Sequence, residues 1–88
     1  MIIGKVIGTV VSTRKNQNLT GSKFLIVEPI EAMAGQRVVA VDNVGAGVGE
    51  LVLVATGSAA RVGAGYENAP VDALIVGIVD SAEQICLG

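Results

Sequence analysis

The side chains in this chain that could do chemistry are few. The candidates are four of the eight acidic residues, Asp42, Glu50, Asp72 and Asp80, a serine among small residues, Ser58, the adjacent bases Arg14 and Lys15, Arg61, and Cys86. A carboxylate pair performs acid–base work only when folding sets two of them in one pocket, and nothing in the spacing of these four says that it does. Solvent-facing or ion-paired carboxylates are the plainer reading. Ser58 stands in Gly57-Ser58-Ala59-Ala60, but a serine nucleophile needs a base to activate it and the chain has no histidine. The same lack removes the most frequent metal ligand. Cys86 has no cationic or helix-terminal setting in view and reads as a small apolar residue near the C-terminus. No catalytic residue, cofactor or metal is expected.

The most unusual stretch carries backbone rather than side-chain chemistry. Gly45-Ala46-Gly47-Val48-Gly49 lies between acidic flanks, Asp42 and Glu50, and joins two runs of β-formers, Arg37-Val38-Val39-Ala40-Val41 and Leu51-Val52-Leu53-Val54-Ala55. Alternating glycines allow positive φ and let another backbone come close. A phosphate cradle of the dinucleotide type needs Gly-x-Gly-x-x-Gly opening a helix, whereas here position 50 is Glu and a strand follows. Two readings stay open: a plain hairpin loop, and identical loops packed closely around a symmetry axis.

The chain has 88 residues, of which 51% are hydrophobic, 16% charged and 2% aromatic. A single domain of this size has little interior for so many aliphatic side chains, so the excess apolar surface points to an oligomer. The formal net charge of −2, with basic residues scattered, argues against a phosphate-backbone binder. One cysteine excludes an intrachain disulfide and fits a reducing, cytoplasmic interior. No apolar run approaches bilayer-spanning length, so no membrane partner is expected.

Five β-rich segments would position these residues: 1–13, punctuated by Gly4 and Gly8, then 22–30, 37–41, 50–56 and 71–80. Residues 57–61 resemble one helical turn capped by Ser58, and Asp80 or Ser81 could cap a short helix through Ile85. There is no room for the crossover helices of a parallel α/β fold. The expected fold is mainly all-β: a small five-stranded antiparallel barrel of the OB type, with one helical turn between strands four and five and a short C-terminal helix. Leu51-Val52-Leu53-Val54 and Leu74-Ile75-Val76 are continuous apolar runs where a half-solvated sheet would alternate, so a second subunit is expected to cover the other face. Arg61, at the end of the helical turn, is a candidate to pair with Asp72, Asp80 or Glu50 across such a contact. An OB-type module binding single-stranded nucleic acid or oligosaccharide is the alternative, weakened by the single Phe and single Tyr.

The segments Val6-Ile7-Gly8-Thr9-Val10-Val11-Ser12-Thr13-Arg14-Lys15, Leu19-Thr20-Gly21, Val39-Ala40-Val41-Asp42, Val44-Gly45-Ala46-Gly47-Val48-Gly49-Glu50, Gly57-Ser58-Ala59-Ala60-Arg61, Pro70-Val71-Asp72-Ala73 and Val76-Gly77-Ile78-Val79-Asp80 are similar, in order and spacing, to the bacterial microcompartment vertex proteins of ethanolamine-utilisation, propanediol-utilisation and carboxysome type. The likeness covers almost the whole chain and implies that residues 1–88 form one domain. It implies a β-barrel subunit that forms a homopentamer at the vertices of a polyhedral shell built mainly from hexameric shell proteins, hence a structural protein and not an enzyme. It further implies an axis or pore loop of Gly45, Ala46, Gly47, Val48, Gly49 and Glu50, a subunit interface with Ser58, Ala59, Ala60, Arg61 and Asp72, and shell-neighbour contacts by Arg14 and Lys15.

Overall fold

The computed structural model describes residues 1–11, 22–57, 60, 72–81 and 84–87. Five strands, β1 (Ile2–Val10), β2 (Lys23–Pro29), β3 (Val38–Asp42), β4 (Leu51–Thr56) and β5 (Ala73–Val79), close into a barrel in the order β1-β2-β3-β5-β4. The barrel seals against β1, which pairs antiparallel with β2 on one side and with β4 on the other.

Burial alternates with period two along β1, β2 and most of β4, whereas β3 ends and β5 begins with three consecutive buried residues. In β1 Gly4 and Val6 are buried while Lys5 and Ile7 face outward, and in β4 Val52 and Val54 are fully buried between half-buried Leu51 and Leu53. The inward set, Val6, Leu25, Val27, Ala40, Val52, Val54, Ala73 and Ile75, forms one core that also includes Ala46 from the loop after β3. Apolar side chains remain on the outside as well: Val39, Val76 and Ile78 are exposed. The expectation that β4 and β5 have apolar residues on both faces therefore describes the single chain.

Small strands close into a tight barrel by bending. The β1–β2 register shifts between Val6 and Gly8, and the β4–β5 register shifts at Leu53/Val54, so Ile7 and Val76 are the extra residues of two bulges. Gly4 serves another purpose: a Cβ built there would lie 2.5 Å from Val27 Cγ1 and 2.7 Å from the Glu28 carbonyl oxygen. Only glycine admits that approach of β1 to β2.

Four of the five seams are antiparallel, as expected, but β3 and β5 run parallel, paired through Val41↔Leu74 and Asp42↔Ile75. That pairing joins segments more than thirty residues apart, which no local pattern announces. The expected helical turn after β4 lies largely outside the described residues; Ala60 is helical, and its N–H donates to the Gly57 carbonyl at 3.1 Å. Of the expected C-terminal helix, residues 82 and 83 lie outside the described residues, and Gln84 is in a 3-10 turn. Gln84 N–H donates to the Ser81 carbonyl at 3.0 Å and Gln84 Oε1 accepts from Ser81 N–H at 3.2 Å, the glutamine half of a capping box, and residues 85–87 are not helical. A short 3-10 turn, Glu31–Met33, closes the β2–β3 connection with Ala34 at φ 47°.

Candidate functional site

The glycine loop leaves the end of β3 at Asp42 and enters β4 at Leu51. Asp42 is the residue that shapes it. Its side chain is almost wholly buried, and its carboxylate gathers three successive backbone donors: Oδ1 accepts from Val44 N–H at 3.0 Å and Gly45 N–H at 3.2 Å, and Oδ2 accepts from Ala46 N–H at 3.0 Å. A buried carboxylate is costly unless hydrogen-bonded, and here the loop amides supply the bonds. Lys23, opposite Asp42 at the start of β2, adds a cation: its Nζ lies 3.7 Å from Oδ2 and donates to the Ala46 carbonyl at 2.7 Å.

The second half of the loop is tied to itself and to β1. Gly47 N–H donates to Glu50 Oε1 at 2.6 Å, and Glu50 N–H to the Gly47 carbonyl at 3.1 Å. Gly49 N–H donates to the Val6 carbonyl at 2.8 Å, while Val6 N–H donates to the Glu50 carbonyl at 2.9 Å. These two bonds carry the β1–β4 ladder one step beyond Lys5↔Leu51 and pin the loop's exit.

The glycines divide into two kinds. Gly45 (φ 87°) and Gly49 (φ 94°) occupy the left-handed region, where a side chain is strained. Gly47 does not, so of the three alternating glycines two meet the positive-φ expectation. A Cβ at Gly45 or Gly49 would meet nothing within 4 Å, and at Gly47 only Glu50 Oε1 at 3.4 Å. Within one chain the loop is open on its outer side, with Val44 and Val48 exposed.

Ala46 sits differently from its loop neighbours. It is fully buried in the barrel core, so its side chain anchors the loop inward. Ala60 is likewise fully buried. Asp72 is exposed, and its carbonyl accepts Gly57 N–H at 2.8 Å. Arg14, Lys15, Ser58, Ala59 and Arg61 lie outside the described residues.

Among the described residues no three acidic, cysteine or histidine side chains gather as a metal cluster, and Cys86 is exposed. Asp42 and Glu50, weighed above as acid–base candidates, are occupied by backbone amides of their own loop. Sequence reasoning missed Lys23 and the organising part played by Asp42. For Asp42 the signal was present, since an aspartate followed three residues later by glycine favours a turn closed by its own side chain. For Lys23 there was none, because it meets Ala46 only through the β2–β3 register.

This barrel and loop are shared with proteins of one kind. Residues 1–80 match the family described as ethanolamine utilisation protein EutN/carboxysome. The chain is 49% identical over 88 residues to the bacterial microcompartment shell vertex protein GrpN of Rhodospirillum rubrum, covering 97% of this chain and 99% of that one. It is 51% identical over 85 residues to the carboxysome shell vertex protein CcmL of Gloeobacter violaceus, covering 92% and 84%. Among solved structures, CcmL of Nostoc superposes with a TM-score of 0.83 at 47% identity over 92% of this chain and 90% of that one. The GrpN pentameric microcompartment shell protein superposes with a TM-score of 0.80 at 49% identity over 92% and 96%. The chain belongs to this family of bacterial microcompartment shell vertex proteins. It is a structural protein and not an enzyme.

Proposed function

We propose that this chain forms a homopentamer that caps the vertices of a polyhedral bacterial microcompartment shell in the cytoplasm. A flat sheet of hexagonal tiles cannot close, and pentagons inserted at the vertices supply the missing curvature. The partners are therefore four further copies of the chain and the hexameric shell proteins around them.

The observation that carries this reading is the open outer side of a rigidly held glycine loop. Gly45 and Gly49 have no atom within 4 Å of an added Cβ in the lone chain. Space of that kind suits the close approach of identical loops around a five-fold axis. Gly45, Gly47, Val48, Gly49 and Glu50 line that approach, with Ala46 holding the loop from within. The repeated Glu50 carboxylate sets the charge of any central opening. The segment bearing Ser58, Ala59, Ala60 and Arg61, together with Asp72, contributes the contact between subunits, and Arg14 and Lys15 reach the neighbouring tiles. Outward apolar residues such as Val76 and Ile78 give such contacts material to bury.

Expression with hexameric tile proteins, with and without this chain, tests the role by electron microscopy. Closed polyhedra only when the chain is present support it. Equally well closed polyhedra without it would refute it.

A further inference from the structure

The structure assigns to Lys23 and Asp42 a positioning role in assembly: the pair sets the glycine loop in its contact shape within the single chain, before any partner arrives. The inference rests on the proposed pentamer and goes beyond it. It names two paired residues, at the start of β2 and the end of β3, that act on the contact through the loop they hold.

Holding the loop is a matter of entropy. Ordering a backbone residue costs conformational entropy, and a loop ordered only on docking would set that cost against association in every subunit. Residues 43–46 avoid the cost in the free chain. Val44, Gly45 and Ala46 give their amides to Asp42, Ala46 gives its carbonyl to Lys23, and the Ala46 methyl is buried in the core. Gly49 and Glu50 are fixed to Val6 by a separate pair of backbone bonds. The loop is therefore bonded at both ends by groups of its own chain.

Lys23 is the separable part of the device. Its side chain is half exposed, so replacing it removes a bond to the loop without opening a cavity in the core. The test compares wild type, Lys23→Met and Lys23→Arg by sedimentation over a dilution series, by thermal melting of the barrel, and by amide exchange at residues 43–50. The Met variant keeps the folded barrel, exchanges its loop amides faster, and dissociates at a concentration about tenfold higher or more, the equivalent of one loop bond's worth of ordering. The Arg variant, which keeps a cationic donor, recovers most of the loss. A folded Met variant that dissociates and exchanges like wild type overturns the inference.

A second measurement needs no variant. In wild-type chain diluted until dissociated, the amides of Val44, Gly45 and Ala46 remain protected; exchange at the rate of an unstructured loop overturns the inference. Its failure is distinct from failure of the pentamer: a wild type that never assembles removes the underlying reading, whereas a wild-type pentamer unaffected by Lys23→Met removes this inference alone.

Discussion

Glu50 Oε1 accepts the N–H of Gly47 at 2.6 Å, folding the carboxylate back over the loop it terminates. The bond is exposed, and it ties the loop's outermost acid to its central glycine. Glu50→Gln keeps an acceptor and is expected to leave assembly intact while removing one charge per subunit. Glu50→Ala loses the acceptor and is expected to weaken assembly. Mobility in native electrophoresis, read beside sedimentation, separates the two; equal assembly by both variants would show that the bond is dispensable.

Gly47→Val is expected to fold as a barrel and fail to form pentamers. Gly47 lacks positive φ, and the nearest atom to its added Cβ is Glu50 Oε1 at 3.4 Å, so the cost within one chain is small. A neighbouring copy of the loop is what would exclude the valine. A Gly47→Val protein that assembles and closes shells would mean that the loop is not at the axis.

Gly45→Ala and Gly49→Ala carry a penalty in the chain itself, about 1–2 kcal/mol each from the left-handed backbone. Denaturant unfolding of dissociated chain measures that part. A further loss of pentamer beyond it reports crowding between copies.

The sequence made these strands readable through their β-branched runs, and each observed strand falls within a few residues of its expected place. Of the two glycines that punctuate the first strand, Gly8 stands beside a bulge and is an informative sign of bending, whereas Gly4 instead admits the close approach of β2. The parallel β3–β5 seam was not readable, because Val41 and Leu74 lie more than thirty residues apart and no local pattern pairs them. The loop was visible as a loop, but its anchor was not: Ala46 looked like one more small residue at a crowded axis, whereas its methyl fills the barrel core. Burial of that kind depends on where the chain turns, which Asp42 decides through three backbone bonds.

Gly4→Ala is expected to destabilise the barrel by about 1–3 kcal/mol, because the new methyl has backbone and the Val27 side chain in its way. A thermal melt reads this as a drop of roughly 4–8 °C per kcal/mol for a domain of this size. An unshifted melt would show that β1 and β2 can separate without cost.

The ion pair between Arg37 and Glu28, at 3.3 Å with both side chains about half exposed or more, is expected to matter little. Arg37→Ala should change stability by less than about 1 kcal/mol, less still in high salt. A larger loss would reveal a contact that Arg37 makes elsewhere, such as with another subunit.

Native mass spectrometry of the wild-type protein bears most directly on the five-fold reading. Five chains of 8.9 kDa give a single dominant species near 44.5 kDa. A monomer or dimer as the dominant species under the same conditions would contradict it.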